Sequence, residues 1–194
     1  YLPESQRKSV AYVTAFGLAA LAITPFIWAP PSDGNLLYWG GMVRHDMLSQ
    51  VFKVMILLGA AITALLAVDT RYLARKGEFY LIIIVSTLGA CLMSAAADLI
   101  MVFVALETTS IPLYALASMR RDDVRSTESG LKYFLFGSFA SAIMLYGFSL
   151  LYGFASNTSL YEIAAYLSGP AFSENAVPTL VAMVLVFVGF GFKI

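Results

Sequence analysis

Three charged side chains fall inside apolar runs. Glu107 stands among Val104, Ala105, Leu106 and Thr108, Lys132 within Gly130-Leu131-Lys132-Tyr133-Phe134, and Lys193 after Gly189-Phe190-Gly191-Phe192. Carboxylic acids and amines take up and release protons. A low-dielectric setting disfavours the charged form of each and brings a lysine toward proton exchange near neutrality. Together the three would form a proton or cation relay, whereas singly each could do no more than tie neighbouring helices together.

Their settings differ. Glu107 lies nine residues beyond Asp98, about 14 Å along a helix and so near the middle of a bilayer. No basic residue lies within one turn, so its partner must come from another helix or from water. Pro112, five residues on, removes an N–H and crowds the carbonyl of Thr108, loosening the helix beside the acid. Lys132 has Glu128 four residues before it, the spacing of a helix-surface pair. Counting from the helix ends, it would also stand only about 7 Å from the level of Glu107, so both partners stay open. Lys193 follows two glycines, which suggests an interrupted helix, the frequent setting of an ion site in transporters. The alternative is a terminal lysine snorkelling to water.

Other chemistry is thin. His45 is the only histidine and Cys91 the only cysteine, too few for a zinc, iron–sulfur or c-type haem site within the chain. Cys91 reads as a packed thiol. Neither a G-x-G-x-x-G nor a Walker A pattern occurs, and the formal charge of zero gives no basic surface for nucleic acid. No cofactor is expected on this chain.

The elements that must hold these charges follow from composition. Of 194 residues, 60% are hydrophobic and 12% charged, with a mean hydropathy of +0.80. A soluble domain carries about 45–50% apolar and about 25% charged residues. The bilayer is therefore the expected solvent. The reading is an all-α, polytopic transmembrane helical bundle of about six helices, over residues 9–29, 50–68, 79–97, 98–117, 127–152 and 177–194, each near the roughly 20 residues of one crossing. The third and fourth runs break only at Ala97-Asp98. Asp98 suits the N-cap of the fourth helix, the other reading being a buried functional acid. Lys53, one turn inside the second helix, can snorkel. Linker 30–49 reads as an ordinary turn-rich loop, and Trp28, Tyr38 and Trp39 fit an interfacial aromatic belt.

Charge sets the orientation. Arg7, Lys8, Arg71, Arg75, Lys76, Arg120, Arg121 and Arg125 fall on one side of an alternating six-helix path, and Arg44 alone on the other. The positive-inside rule makes residues 1–8 and linkers 69–78 and 118–126 cytoplasmic, and linkers 30–49 and 153–176 outward. A bacterial inner or cell membrane is the expected location. No repeat of 20–50 residues is visible. The chain opens at Tyr1 and stops at Ile194 within an apolar run, so we expect a piece of a longer polypeptide.

The same residues carry a likeness. Asp98-Leu99-Ile100, Val104-Ala105-Leu106-Glu107 and Ile111-Pro112-Leu113-Tyr114 resemble the fifth helix of the antiporter-like subunits of respiratory complex I, the NADH:quinone oxidoreductase. The runs Arg121-Asp122-Asp123-Val124-Arg125-Ser126-Thr127-Glu128, Gly130-Leu131-Lys132-Tyr133-Phe134, Leu151-Tyr152-Gly153-Phe154 and Val188-Gly189-Phe190-Gly191-Phe192-Lys193 look like the subunit N branch. The resemblance implies a protein of about fourteen helices. Residues 1–78 would hold preceding transmembrane helices, and residues 79–194 the first part of an antiporter-like inverted repeat. It implies proton translocation coupled to electron transfer from NADH to quinone. Glu107 would be the key membrane glutamate, Lys132 a modulating lysine, and Lys193 the lysine of a broken seventh helix. NADH, FMN, iron–sulfur clusters and quinone would sit in partner subunits. Neighbouring antiporter-like subunits and small membrane subunits would be partners, beside the lipid bilayer and protons. A subunit of a multi-subunit sodium/proton antiporter shares the Glu–Lys logic, but the 121–128 linker argues against it. A membrane scaffold without transport is the remaining alternative, and nothing suggests a pocket for an organic solute.

Overall fold

The structure, a computed structural model, describes residues 4–27, 36–68, 70 and 77–193. Trp28, the turn-rich 30–35 stretch and the basic residues Arg71, Arg75 and Lys76 lie outside the described residues. The order is α1 (Glu4–Ile27), β1 (Leu36–Tyr38), β2 (Val43–His45), α2 (Met47–Ala67), α3 (Gly77–Ser94), α4 (Leu99–Ala117), α5 (Val124–Ala155), α6 (Leu160–Ser168), α7 (Pro170–Glu174) and α8 (Ala176–Lys193). Six of the helices, α1 to α5 and α8, are long and apolar enough to cross a membrane. Helices, whose backbone groups bond within the segment, are what a chain without water can use.

Capping by short polar residues fixes where these helices begin. Asp98 caps α4 by accepting from the Ile100 N–H at 2.8 Å and is itself buried, so the capping reading holds and no free acid remains there. Asp123 caps α5 by accepting from the Arg125 N–H. Asp46 and Ser49 form a reciprocal capping box on α2. Burial pushes the Asp46 carboxyl up, but the Ser49 N–H and hydroxyl and the nearby Arg44 guanidinium outweigh it and hold the group below its usual value. Within α1, the carbonyl of Leu21 that Pro25 leaves without its helical partner accepts from the Thr24 hydroxyl at 2.7 Å.

One end of the bundle is more ordered than the sequence suggests. Linker 30–49 is not a plain loop. Its second half is a hairpin in which Leu36, Leu37 and Tyr38 pair with His45, Arg44 and Val43, turning through Gly40 and Gly41 at the positive φ that glycine permits. The short connection between α3 and α4 then behaves as a strand between two partners. The Arg44 N–H donates to the Ala95 carbonyl and the Ala97 N–H to the Met42 carbonyl, each at 2.8 Å. On its other side the Leu99 N–H donates to the Thr158 carbonyl and the Leu160 N–H to the Ala97 carbonyl. Residues 95–98 are buried, so their backbone groups need these partners, and three separate loops satisfy one another. Linker 153–176 is likewise partly helical, holding α6 and α7; Ile163 of α6 joins the apolar core of the second half.

Packing divides the molecule. Ala11, Ala15, Ala64, Ala67, Phe79, Tyr80 and Ile83 join α1, α2 and α3, with Met119 from the 118–123 linker. Leu99, Leu106, Met144, Phe148, Leu151, Ile163 and Ala182 join α4, α5, α6 and α8. Large side chains such as Phe139, Phe187 and Leu66 point outward, the reverse of a water-soluble surface and suited to lipid or neighbouring helices. The 118–123 linker, with Arg120 and Arg121, lies at the end opposite the hairpin, as alternating helices require.

Charge bias then gives a side to each end. With Cys91 replaced by Ser, single cysteines introduced in the 118–123 linker should react with a membrane-impermeant thiol reagent only from the cytoplasmic face. Those at 39–41 or 156–159 should react only from outside. Outward labelling of the 118–123 linker would overturn the assignment.

Candidate functional site

The candidate side chains come from α4, α5 and α8. Glu107 and Tyr114 are seven residues apart on α4, two turns along one face, with Ser110 between them. Opposite them α5 runs antiparallel. Gly130 faces Ser118, Gly137 faces Tyr114, and Ser141 reaches Glu107. The Ser141 hydroxyl donates to Glu107 Oε1 at 2.6 Å. At Gly137 a Cβ would lie 2.2 Å from the Tyr114 hydroxyl and 2.6 Å from Cζ. The small residue is therefore the slot into which the tyrosine fits. Tyr133 and Phe134 pack edge-on against the same ring, with centroids 4.7 and 5.9 Å away, so its position is fixed from several sides.

Lys193 arrives from the end of α8. Its Nζ donates to the Tyr114 hydroxyl at 2.6 Å and lies 3.5 Å from Glu107 Oε1. The lysine side chain is 10% exposed and the glutamate side chain 19%. A buried pair of this kind holds both charges in place of water, and removing either member leaves the other uncompensated. It stands beside a cleft of about 530 Å³, lined by Arg44 and Ser94 toward the hairpin end and by Ser110, Tyr133 and Lys193 further in.

How α8 reaches this point differs from the expectation. The two glycines do not interrupt it: the helix is continuous from Ala176 to Lys193. Gly189 instead permits close approach to α5. A Cβ there would lie 2.4 Å from Met144 Cβ and 2.9 Å from the Ala140 carbonyl oxygen. Gly147 plays the matching part on α5, against Ala182 and Val186. Up to Lys193, therefore, α8 is a continuous helix seated tightly on α5 at Gly189.

Lys132 is elsewhere. Its Nζ bonds Glu128 Oε1 at 2.5 Å, one turn away, and both side chains are more than half exposed. The level estimate of 7 Å does not survive the register: α5 starts at Val124, and Glu107 faces Ser141, nine residues and about 13 Å along the helix from Lys132. The structure therefore joins Glu107 with Lys193 and leaves Lys132 with Glu128. Two members of the site, Tyr114 and Ser141, were not singled out for chemistry from the sequence. The available signals were the seven-residue spacing from Glu107 and the Gly137–Ser141 step. On α4, Pro112 leaves the Thr108 carbonyl without its helical donor. On the adjoining turn Ser86 of α3 donates to the Thr109 carbonyl at 3.0 Å, and Gly89 of α3 packs against the Thr108–Thr109 peptide.

A smaller polar group lies between α1, α2 and α3. His45 Nδ1 and Gln50 Nε2 are 2.8 Å apart, and with Lys53 and Cys91 they line a separate, largely apolar cleft. Cys91 forms no disulfide.

Comparison with known proteins gives a consistent result. Residues 96–194 match the family described as NADH:quinone oxidoreductase/Mrp antiporter, TM. The chain is 40% identical to NADH-quinone oxidoreductase subunit N of Desulfovibrio desulfuricans, covering 97% of this chain and 38% of that protein. It is 44% identical over 161 residues to subunit N 2 of Koribacter versatilis, covering 81% of this chain and 32% of the relative. It therefore spans roughly two-fifths or less of the length of these relatives. Among solved structures it is similar to a chain of respiratory complex I from Thermus thermophilus with bound aureothin, with a TM-score of 0.70, 34% identity, and coverage of 99% of this chain and 39% of that one. A chain of the archaeal membrane-bound sulfane sulfur reductase shares the fold, with a TM-score of 0.65 at 18% identity.

The seating of α8 is testable by stability. Gly189→Ala should destabilise the protein by about 1–3 kcal/mol through overpacking. Gly191→Ala, which meets nothing within 4 Å, should be neutral. Thermal unfolding of the detergent-solubilised protein measures both, and equal losses at the two positions would rule the packing account out.

Proposed function

The chain belongs to the NADH:quinone oxidoreductase/Mrp antiporter transmembrane family, and from that premise we propose that it is a membrane-arm part of an NADH:quinone oxidoreductase, of the subunit N type, that moves protons. The names of its relatives and the likeness to complex I support this reading. The observation that carries it is the Glu107–Lys193 pair at 3.5 Å, within the membrane-spanning helices and anchored by Ser141 and Tyr114.

The chemistry follows from the pair. A protonated Glu107 beside a neutral Lys193 can pass one proton to the amine, leaving carboxylate and ammonium. The ion pair is the product of that step. The Ser141 hydroxyl donates to the carboxylate and takes the place of a water there. A new proton arriving on Glu107 removes the attraction and frees Lys193 to pass its proton on. The largely apolar cleft that runs from Arg44 to Lys193 reaches the lysine side of the pair. In this proposal electrons move elsewhere: NADH, FMN, iron–sulfur clusters and quinone belong to partner subunits. Neighbouring antiporter-like and small membrane subunits complete the assembly in a bacterial inner or cell membrane. Residues 1–78 precede, and residues 79–194 begin, the antiporter-like repeat. Lys132, held by Glu128, acts as a modulator from the cytoplasmic end of α5.

Glu107→Ala should leave the complex assembled while NADH-driven proton pumping falls about tenfold or more, the scale of a missing proton-transfer group. Glu107→Asp should retain part of the rate, because the carboxylate survives on a shorter stem. The measurement is pumping in native membranes, normalised to assembled complex. Wild-type pumping by a well-assembled Glu107→Ala complex would refute the reading.

The two lysines should differ. Lys193→Ala should cost several-fold more pumping than Lys132→Ala, since it strands Glu107 without its cation whereas Lys132 is exposed and paired locally. Lys193→Arg should not rescue, because a guanidinium does not release its proton. If Lys193→Arg pumps like the parent, a fixed positive charge is all that position supplies.

A further inference from the structure

The phenol of Tyr114 is the nearest described partner of Lys193, and the proton steps above assign it no task beyond anchoring the pair. We propose that Tyr114 is a positioning residue that holds Lys193 in both of its protonation states and keeps it short of full contact with Glu107. The inference rests on the reading that this pair carries protons.

Three observations carry it. First, the lysine divides its contacts unevenly: 2.6 Å to the Tyr114 oxygen and 3.5 Å to Glu107. Charge-assisted N–H···O bonds normally settle at about 2.7–2.9 Å, so the ion pair is held open while the neutral partner is in close contact. Second, the tyrosine cannot follow the lysine. It is 4% exposed, its hydroxyl fills the space that Gly137 leaves, and Tyr133 and Phe134 fix the ring edge-on. Third, Ser141 donates to the same Oε1 that Lys193 approaches, so the carboxylate keeps a partner when the lysine stands off.

A hydroxyl suits this place because it both donates and accepts. While Lys193 is an ammonium, one N–H donates to the phenol oxygen. Once the proton has left, the phenol O–H can rotate and donate to the amine lone pair. Lys193 therefore has a partner at the same spot before and after transfer. Without one, a charged lysine in a low-dielectric site would close onto Glu107. Coulomb attraction rises as the distance falls, and each charge then stabilises the other.

The titratable groups facing Lys193 are few. Glu107 and Tyr114 come from α4, Tyr133 lines the same cleft from α5, and Arg44 stands at the cleft's far end beside α2. From α3 that cleft receives Ser94, Met93 and Ala90, none of which titrates near neutrality. Lys132 and Glu128 neutralise each other on the exposed side of α5.

The test is Tyr114→Phe, which keeps the ring, the fit against Gly137 and the aromatic wall, and removes only the hydroxyl. Pumping is measured in native membranes as a function of pH, normalised to assembled complex, beside the parent, Glu107→Ala and Lys193→Ala. With the hydroxyl gone the pair closes, and the pH dependence of transfer out of it changes. The alkaline side of the profile should move up by about half to one pH unit, and pumping at pH 7 should fall about three- to tenfold. An unmoved profile overturns the proposal, including the case in which only the amount of assembled complex drops. So does a downward shift, which would mean that the phenol merely solvates the ammonium. The two failures are distinguishable. If Glu107→Ala and Lys193→Ala lose pumping while Tyr114→Phe keeps rate and profile, positioning fails and the proton pair stands. If those two variants pump like the parent, the pair itself is not the carrier.

Discussion

A carboxylate and an ammonium within a hydrocarbon layer persist only where protein groups replace the water each has lost. That requirement organises the second half of the chain. Glu107 needs a cation, and Lys193 supplies it from α8. The carboxylate needs a donor, and Ser141 supplies it from α5. Lys193 needs a partner for a second N–H, and Tyr114 supplies it from α4. No single helix could meet these needs, so α4, α5 and α8 must approach more closely than leucine-sized side chains allow.

The small residues are the answer to that geometric demand. Between α4 and α5 they are Gly137 and, at the Ser118 cap of α4, Gly130, and between α5 and α8 Gly147 and Gly189; at each a Cβ would meet the neighbouring segment at under 3 Å. In lipid there is no hydrophobic driving force between helices, and close van der Waals packing takes its place. The same contacts that seat the helices therefore set the distances within the polar cluster. A displacement of an ångström at Gly189 would carry Lys193 with it, because the helix between them is unbroken.

The opposite need governs the hairpin end. There the polar groups belong to the backbone of buried residues 95–98 and are satisfied by strand-like pairing with residues 42–44 on one side and 158–160 on the other. This pairing ties together loops that are distant in sequence, and it fixes the start of α4, whose cap Asp98 lies within it. Glu107 is thus placed from above by the capped start of α4, and from the side by the register of α5.

The sequence by itself determined the parts that depend on composition and local spacing. The bilayer as solvent, six apolar helices, the Asp98 cap, and Glu107 and Lys193 as charges needing partners all follow from residues that report on their own surroundings. Only the tertiary structure decided which partner each charge takes, because that depends on the register between helices far apart in the chain. A start of α5 three residues earlier than expected, and the meeting of Ser141 with Glu107, send Lys132 to Glu128 and leave Lys193 for Glu107. Gly189 and Gly191 suggested a helix break from the sequence, but glycine also removes a side chain and so lets a neighbour approach. At Gly189 the neighbour Met144 shows packing, whereas Gly191 meets nothing within 4 Å and the helix runs on through both. The pairing of residues 95–98 with two remote loops was invisible for the same reason: backbone hydrogen bonds carry no side-chain signature, and only the fold brings their donors and acceptors together.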